Sequence, residues 1–316
     1  MITNELLTSL GMPKAELIHN YMGGNSEVSH VRFNKLDFAI KQYKGDATRK
    51  ARSLLHETSA LTFISKHELF NCPKLFSISN EEFAISYRWI PGVVSDNSPE
   101  ARNFILNTIN QLSLNESLVP NYKLNAIDAV LKPFDLLNQL KDRWARLPKI
   151  NNFPKILMNS INAELLQVTD ILASHLDYET KMLSLSDFGT HNLIKSDLNE
   201  LIHIDFEFFG IDSKAKLYAD LFAHPRNSFS SMELRSNLDS IEKSARLESE
   251  IMGMLPGIAV KWAFIVLRRY IDWESNIFRD NSQTSVRPDQ YLEYAKFLRK
   301  LRFFEDVITF KEFQSL

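Results

Sequence analysis

The sequence predicts an α+β protein with two lobes: a small β-rich N-terminal lobe containing one helix, and a larger helical C-terminal lobe. Three observations indicate this fold class. Short runs of strand-forming residues cluster before residue 95, long amphipathic segments follow it, and the second half shows a clear strand signal only at one short hairpin. We therefore expect an N-terminal lobe of residues 1–94 and a C-terminal lobe of residues 95–316, and this chain length suits two such bodies.

The N-terminal lobe is predicted to be a sheet interrupted by one helix. Five runs have the composition of strands: Glu16–Met22, Val28–Phe33, Phe38–Tyr43, Lys74–Ile78 and Phe83–Tyr87. After the third run, Leu54, Leu61 and Ile64 recur with a helical period, which predicts a helix over about residues 48–66. The pair Pro91-Gly92 then indicates a turn or linker between the lobes.

The C-terminal lobe is predicted to be helical apart from one hairpin. Two sets of apolar residues mark buried helix faces: Ile156, Leu157, Ile161, Leu165, Val168 and Leu172, and then Ala259, Trp262, Ala263, Val266 and Leu267. The hairpin has two short apolar strands, Leu193–Ser196 and Leu201–Ile204, around the polar turn Asp197–Glu200. Because a hairpin of this length returns the chain to its start, we expect Asp205 to lie beside Asn192.

Composition excludes several classes of protein. A net charge of −2 and a pI near 6.5 argue against nucleic-acid binding, which needs a basic surface. The single cysteine, Cys72, can form no disulfide within the chain. The first ten residues lack a basic segment followed by an apolar core, so no signal peptide is predicted. The most apolar stretch, residues 255–267, carries Lys261 and is too short to span a bilayer. We expect a cytoplasmic protein without a membrane partner, and the oligomeric state stays open.

The hairpin and the loop before it carry the residue types of a phosphoryl-transfer site. An Asn oxygen and a carboxylate placed together, here Asn192 and Asp205, are hard ligands for Mg²⁺, which keeps most of its shell for water and phosphate. Asp187 lies five positions before Asn192, where a carboxylate can receive a proton. A base, a metal-binding Asn and a metal-binding Asp in this order are the parts of such a site.

The N-terminal lobe supplies candidates for binding phosphate. The segment Gly23-Gly24-Asn25-Ser26 lies between two predicted strands, where glycines let backbone N–H groups approach a phosphate chain. Taken alone, a Gly-Gly turn between strands is usually only a hairpin turn. Lys41 ends an apolar run and Glu57 lies on the predicted helix; either one alone is usually solvated. Taken in order with the downstream residues, they instead predict a Lys–Glu ion pair that directs an ammonium at phosphates.

These motifs together resemble a known family. The segments Ser186–Asn192 and Ile204–Glu207 resemble the two signature loops of the aminoglycoside phosphotransferase and choline kinase-like superfamily, and Gly23–Val28 is similar to the nucleotide loop of one bacterial branch of unassigned phosphotransferases. The resemblance implies a protein-kinase-like fold that uses ATP and Mg²⁺.

The resemblance also implies a role for each matched residue. Asp187 would be the catalytic base, Asn192 and Asp205 the metal ligands, and Lys41 with Glu57 the pair that orients phosphate. Asp220 would be a structural aspartate that supports the catalytic loop. The hinge after the N-terminal sheet is expected to bind adenine through its backbone, at Tyr87, Trp89 and Ile90.

The chain departs from the family pattern just before the proposed base. Most members carry His-Gly there, and this chain has Leu185 and Ser186. Because that histidine holds the loop and transfers no proton, the change concerns loop geometry more than chemistry. An inactive relative would more readily have lost Lys41, Asp187 or Asp205, and all three are present.

The sequence therefore predicts a kinase that transfers the γ-phosphoryl group of ATP to a hydroxyl of a small molecule. An aminoglycoside would favour an acidic cleft and choline an aromatic cage, whereas a sugar would suit a mixed one. The near-neutral charge selects none of these, and we lean slightly toward a sugar or sugar-like metabolite. The alternative is a non-catalytic pseudokinase scaffold that binds nucleotide or a partner without turnover.

Overall fold

The computed structural model of the protein describes residues 2–22, 26–173, 178, 180–226, 229–241, 244–280 and 286–316. The chain forms two compact units, each built from two segments: unit 1 is Met1–Ile127 with Ser184–Gly210, and unit 2 is Asp128–Leu183 with Ile211–Leu316. Residues 95–127 and 184–210 thus pack with the N-terminal strands. The division into lobes at residue 94 stays a prediction.

The predicted α+β class is confirmed, with an antiparallel sheet in the N-terminal region and a mostly helical C-terminal part. The helices are α1 (Asn4–Ser9), α2 (Ala47–His67), α3 (Pro99–Leu114), α4 (Pro133–Trp144), α5 (Lys155–Ala173), α6 (Lys214–Ala223), α7 (Ser231–Ile241), α8 (Ala245–Leu267), α9 (Pro288–Leu298) and α10 (Phe310–Phe313). The strands are β1 (Glu16–Met22), β2 (Ser26–Phe33), β3 (Leu36–Tyr43), β4 (Leu75–Ser79), β5 (Ala84–Arg88), β6 (Gly92–Val94), β7 (Lys181–Ser184), β8 (Leu193–Ser196), β9 (Leu201–His203), β10 (Gly210–Ser213), β11 (Ile271–Asp272) and β12 (Ile277–Phe278).

The main sheet of unit 1 has five antiparallel strands in the order β1-β2-β3-β5-β4. All five correspond to the strand runs predicted from the sequence, with bounds that differ by a few residues. Because side chains alternate between the faces of a strand, Ile40 and Lys41 on β3 point to opposite sides of the sheet. Both residues are buried, so each face of the sheet is covered at this strand.

The core face of this sheet is covered by the N-terminal segment. Leu6 and Leu7 of α1 and the following Leu10 and Met12 pack with a buried set from the sheet: Val31, Phe38, Ile40 and Ala84. Helix α1 was not predicted, because six residues are too few to show a helical period. Its first turn is stabilised by Thr3, whose hydroxyl accepts a hydrogen bond from the Leu6 N–H at 3.1 Å.

Helix α2 confirms the predicted helix and places two polar side chains in the interior. Asp46 caps its first turn by accepting a hydrogen bond from the Arg49 N–H at 2.8 Å. Leu54, Leu61 and Ile64 are buried, as the helical period predicts, and so is Glu57.

The predicted hairpin is also confirmed. Strands β8 and β9 pair with Leu193 opposite His203 and Ile194 opposite Ile202. Its third strand, β6, was missed because Pro91-Gly92 indicated only a linker; β6 pairs with β8 with Gly92 opposite Ser196. Gly92 has φ +153°, and a Cβ atom there would lie 2.2 Å from the Lys195 carbonyl oxygen, so only glycine permits this approach.

Unit 2 is organised around helix α8, which packs against α4, α5, α6 and α9. Its residue Gly257 allows close packing, since a Cβ atom there would lie 2.8 Å from Leu136 and 3.3 Å from Val168. Among the described residues, Ala245–Tyr270 is the one helical span long and apolar enough to cross a membrane, and 83% of its most apolar window is buried in the protein. Such burial is typical of a core helix.

Unit 2 also buries an ammonium between two carboxylates. The Nζ atom of Lys216 lies 3.0 Å from Asp212 Oδ2 and 2.8 Å from Asp220 Oδ2. Asp212 is fully buried, and its Oδ1 accepts hydrogen bonds from the N–H groups of Val130 and Ser213. Burial raises the pKa of the Asp212 carboxyl, and the Lys216 charge opposes that rise. The predicted support of the catalytic loop by Asp220 stays a prediction.

We predict that Lys216→Met destabilises the protein by about 3–5 kcal/mol at neutral pH, because it leaves buried carboxylates without their cation. Without Lys216 the folded-state pKa of Asp212 rises further, so the loss of stability is largest above that pKa and shrinks as pH falls through it. Chemical denaturation at pH 4 and pH 7.5 measures both effects. Lys296→Met, which breaks an exposed pair with Glu293, is the control and should change little. Equal losses for the two variants would contradict the prediction.

Candidate active site

A buried lysine on the main sheet of unit 1 joins two carboxylates. The Nζ atom of Lys41 lies 2.6 Å from Glu57 Oε2 and 2.7 Å from Asp205 Oδ1. The side chains of Lys41 and Glu57 are only 3% and 1% exposed, whereas that of Asp205 is 38% exposed. Burial alone lowers the pKa of Lys41, but the charges of Asp205 and Glu57 outweigh it and hold that pKa well above its usual value. The ammonium is therefore permanently charged and points at a carboxylate that solvent can reach.

Local structure explains how three distant residues meet. Lys41 lies on the middle strand of the sheet, Glu57 lies on the buried face of α2, and Asp205 follows the hairpin. Asp205 adopts φ +68°, a left-handed conformation that turns the chain directly after β9. The predicted ion pair between Lys41 and Glu57 is present, and the contact with Asp205 was not foreseen.

The loop that contains Asp187 closes on itself. The Asp187 Oδ1 atom accepts a hydrogen bond from the Gly189 N–H at 3.1 Å, and its Oδ2 atom lies 3.5 Å from His191 Nε2. The Asn192 side-chain amide donates to the Asp187 carbonyl oxygen at 3.3 Å. The Asp187 carboxylate thus has a fixed orientation while it remains 35% exposed.

The hairpin brings Asn192 next to Asp205, as the sequence predicts. The N–H group of Ile204, the residue before Asp205, donates to the Asn192 carbonyl oxygen at 2.8 Å. Asn192 itself is buried. The two proposed metal ligands are therefore held on adjoining backbone.

Gly189 has a steric role in the same loop. A Cβ atom at this position would lie 2.2 Å from Cε1 and 2.3 Å from Nδ1 of His191. The imidazole ring therefore lies against the bare backbone of Gly189, beside the Asp187 carboxylate. A side chain at this position would displace the His191 ring from its place beside Asp187.

Two polar contacts, one partly buried and one buried, anchor the loop and the hairpin. Thr190 in the loop donates a hydrogen bond from its hydroxyl to the Asn97 side-chain oxygen. On β9, His203 Nε2 lies 2.9 Å from the Thr108 hydroxyl of α3, and burial lowers the pKa of His203 to about 3, so this histidine is neutral. No sequence signal identifies these pairs, because their members are 93 and 95 positions apart.

Asn192 and Asp205 together suit Mg²⁺, and they are too few to form a site in which protein side chains supply all the ligands. Among the described residues, no group of three or more His, Cys, Asp or Glu side chains could hold a metal ion. Mg²⁺ needs few protein ligands because water and phosphate fill its remaining positions. The Asn192 amide nitrogen is engaged with Asp187, which leaves its oxygen as the ligand atom. The donor set is hard and small, as Mg²⁺ requires.

The predicted nucleotide-binding segments are only partly described. Gly23, Gly24 and Asn25 lie outside the described residues, and Ser26 begins β2 opposite Tyr43.

One backbone donor of the predicted hinge already has a partner in the sheet. Tyr87 is buried in β5, between β3 and β4. The N–H group of Trp89 donates to the Asp37 carbonyl oxygen at 3.1 Å, so this donor is engaged within the protein. The Trp89 ring instead stacks on His30 at a centroid distance of 4.0 Å. Ile90, the next residue, is the remaining predicted hinge contact.

Ser186, which replaces the glycine typical of the family, has a left-handed backbone. Its φ is +60°, and its N–H group donates to the Ser184 hydroxyl at 3.0 Å. Its own hydroxyl oxygen is buried and has no hydrogen-bond partner in the part of the chain that the structure describes. A side chain in this left-handed conformation is strained, so the loop holds Ser186 at an energetic cost.

Comparison with known proteins identifies the fold. No protein-family model and no curated protein matches the chain. Among solved structures, APH(2″)-IIa in complex with gentamicin matches with a TM-score of 0.60 and 15% identity, covering 96% of this chain and 98% of that one. Spectinomycin phosphotransferase APH(9)-Ia, in complex with ADP and spectinomycin, matches at 0.55 and 12% identity over 99% and 98%. Choline kinase LicA from Streptococcus pneumoniae matches at 0.55 and 15% identity over 94% and 98%.

These likenesses show a shared fold over nearly the whole chain. The predicted kinase-like fold is confirmed, and so is the resemblance to aminoglycoside phosphotransferases and choline kinases at the level of the fold.

We predict that Ser186→Gly stabilises the protein by about 1 kcal/mol, because glycine adopts φ +60° without the penalty of a side chain. Ser186→Ala is the matched control: it removes the buried hydroxyl but keeps the Cβ atom and its strain. Thermal unfolding of the three proteins measures the difference. If Ser186→Ala were as stabilising as Ser186→Gly, the hydroxyl and not the backbone would be the source of the cost.

Proposed function

We propose that this protein is an ATP- and Mg²⁺-dependent phosphotransferase that moves the γ-phosphoryl group of ATP to a hydroxyl of a small molecule. The observation that carries the proposal is the arrangement in unit 1. A buried Lys41 paired with Glu57 faces Asp205, and the hairpin fixes Asp205 beside the loop that contains Asp187 and Asn192. The fold agrees, since the matched structures include proteins named as a phosphotransferase and a choline kinase.

Asp187 is the proposed base. Its Oδ1 atom is held by the Gly189 N–H, and its exposed carboxylate can accept the proton of an incoming hydroxyl as that oxygen attacks the phosphoryl group. Because the loop already fixes this carboxylate, little reorganisation precedes the reaction. His191 lies beside the second oxygen and limits its rotation.

Lys41 is the proposed phosphate ligand of the small lobe. Glu57 fixes the ammonium, and neighbouring carboxylates keep it charged, so it can neutralise phosphate oxygens. Asn192 and Asp205 would hold Mg²⁺, which supplies charge neutralisation across the phosphate chain when bound. The backbone of Gly23, Gly24, Asn25 and Ser26 is proposed to cover the phosphates.

The proposed adenine contact lies at the end of the main sheet. Tyr87 and Trp89 contribute packing, and because the Trp89 N–H is engaged, we assign the hydrogen bond to the backbone of Ile90. The acceptor class stays open: the names of the matched structures point to antibiotics and choline, and they give no support for a preference for sugars. A cytoplasmic enzyme is proposed, with no nucleic-acid or membrane partner.

The experiment that tests the proposal is a screen for phosphoryl transfer. Purified protein is incubated with Mg·ATP and a library of aminoglycosides, amino alcohols and sugars, and ADP release and acceptor mass are followed. An acceptor that gains one phosphoryl group supports the proposal. Binding of Mg·ATP without transfer to any acceptor would favour the pseudokinase scaffold instead.

We predict that Asp187→Asn lowers turnover by about two to four orders of magnitude, the usual contribution of a positioned base. The affinity for Mg·ATP should remain near that of the wild type, because the proposal assigns Asp187 to the acceptor hydroxyl and assigns Lys41 and Asp205 to the nucleotide and its metal. Initial rates and isothermal calorimetry measure the two quantities. Asp197→Asn, in the exposed turn of the same hairpin, is the control. Turnover like that of the wild type in Asp187→Asn would remove Asp187 from the mechanism.

We also predict that the effects of Lys41→Ala and Glu57→Ala overlap. Each variant removes the same positioned ammonium, so each should depress kcat/KM, and the double variant should be little worse than Lys41→Ala alone. Steady-state kinetics on the three variants tests this. Strictly additive losses would mean that the two side chains act independently.

A further inference from the structure

Glu57 is a buried carboxylate, and its partner Lys41 is also paired with a second carboxylate. Its side chain is 1% exposed, and Lys41 is bonded to Asp205 at 2.7 Å as well as to Glu57. With both carboxylates ionised, the cluster of Lys41, Glu57 and Asp205 has a net charge of −1. Burial raises the pKa of Glu57, Lys41 lowers it and Asp205 raises it again. An ionised Glu57 therefore needs a further donor.

Tyr43 supplies that donor. Its hydroxyl donates a hydrogen bond to Glu57 Oε2 at 2.7 Å, the same oxygen that accepts from Lys41. Tyr43 follows Lys41 by two positions on β3, so the strand alternation puts both side chains on one face of the sheet. Burial and the Glu57 charge hold the pKa of Tyr43 well above its usual value, so the phenol keeps its proton and remains a donor.

The need for this donor grows when substrate binds. In the proposed reaction Lys41 turns toward phosphate oxygens, which compete with Glu57 for the ammonium. The hydrogen bond from Tyr43 to Glu57 does not depend on that competition, because the phenol carries no charge that phosphate would attract and is itself buried. It can hold the carboxylate ionised and in place throughout.

We propose that Tyr43 is a positioning residue for phosphoryl transfer, which fixes the Glu57 carboxylate so that Glu57 can in turn direct Lys41 at phosphate. The inference rests on the proposed function, and it assigns to Tyr43 no contact with substrate. Phenylalanine would fill the same space and keep the packing, but it would leave Glu57 without its second donor.

The first experiment measures kinetics of Tyr43→Phe with Mg·ATP. We expect kcat/KM for Mg·ATP to fall about tenfold, the usual effect of losing a hydrogen bond to a charged group, while KM for the acceptor is unchanged. In the Glu57→Gln background the same substitution should have little further effect. Tyr122→Phe is the control: Tyr122 is also buried in unit 1, and its hydroxyl has no hydrogen-bond partner among the described residues.

The second experiment needs no enzymatic activity. The unfolding midpoint of Tyr43→Phe is compared with that of the wild type from pH 4 to pH 8.5. The groups that face Glu57 are Lys41 and Tyr43 from β3, Tyr87 from β5 and Asp205 from the loop after β9. Because the folded-state pKa of Glu57 is raised, and is raised further without Tyr43, the deficit should grow as pH rises through that pKa. In the Glu57→Gln background the deficit should not vary with pH.

The two experiments can distinguish a failure of the role proposed for Tyr43 from a failure of the proposed phosphotransferase activity. A kinetic loss together with a pH-dependent deficit that Glu57→Gln abolishes supports the role of Tyr43. A deficit of the same size at every pH, or unchanged kcat/KM in an active protein, would overturn it and leave Tyr43 as packing. If the wild-type protein transferred no phosphoryl group, the proposed function would fail, and with it the catalytic part of the inference. The pH series would still show whether Tyr43 holds Glu57 ionised.

Discussion

The buried ammonium of Lys41 is the interaction on which unit 1 depends. Its two partners come from different parts of the chain, Glu57 from α2 and Asp205 from the segment after the hairpin, so one charge connects the sheet, the helix and the hairpin. Removing that charge would leave a buried carboxylate alone, a state that costs several kcal/mol. The same arrangement keeps the Lys41 ammonium charged next to Asp205, whose side chain solvent can reach. A contact that stabilises the fold can therefore also serve to bind an anion.

Preorganisation is the second constraint. Backbone and side-chain donors fix the Asp187 loop through Gly189 and Asn192, and the hairpin register places Asn192 against the residue before Asp205. Positive φ values at Ser186 and Asp205 bracket this region. Strained backbone of this kind persists when the surrounding structure determines it, and it is common at functional sites.

A buried ion cluster alone does not identify an active site. Lys216 lies between Asp212 and Asp220 in unit 2 much as Lys41 lies between its two carboxylates in unit 1. The difference is in the surroundings. The Lys41 cluster contains a partly exposed carboxylate, Asp205, and the hairpin places Asp205 next to the loop that carries Asp187. In unit 2, Asp212 is fully buried and accepts hydrogen bonds from backbone N–H groups. Perturbed pKa values accompany both clusters, so geometry must decide between support and catalysis.

The sequence by itself determined the features that local pattern encodes. The five strand runs, helix α2 and the hairpin follow from side-chain period and turn residues, and the pairing of Lys41 with Glu57 follows from the order of motifs along the chain. Tertiary structure alone decided which donors and acceptors meet. The bond from Tyr43 to Glu57, the use of the Trp89 N–H by Asp37 and the contact of Lys41 with Asp205 depend on segments brought together by folding. The period of the sequence predicts on which face of a strand or helix a side chain lies. Only the packing of sheet, helix and hairpin determines which groups that side chain contacts.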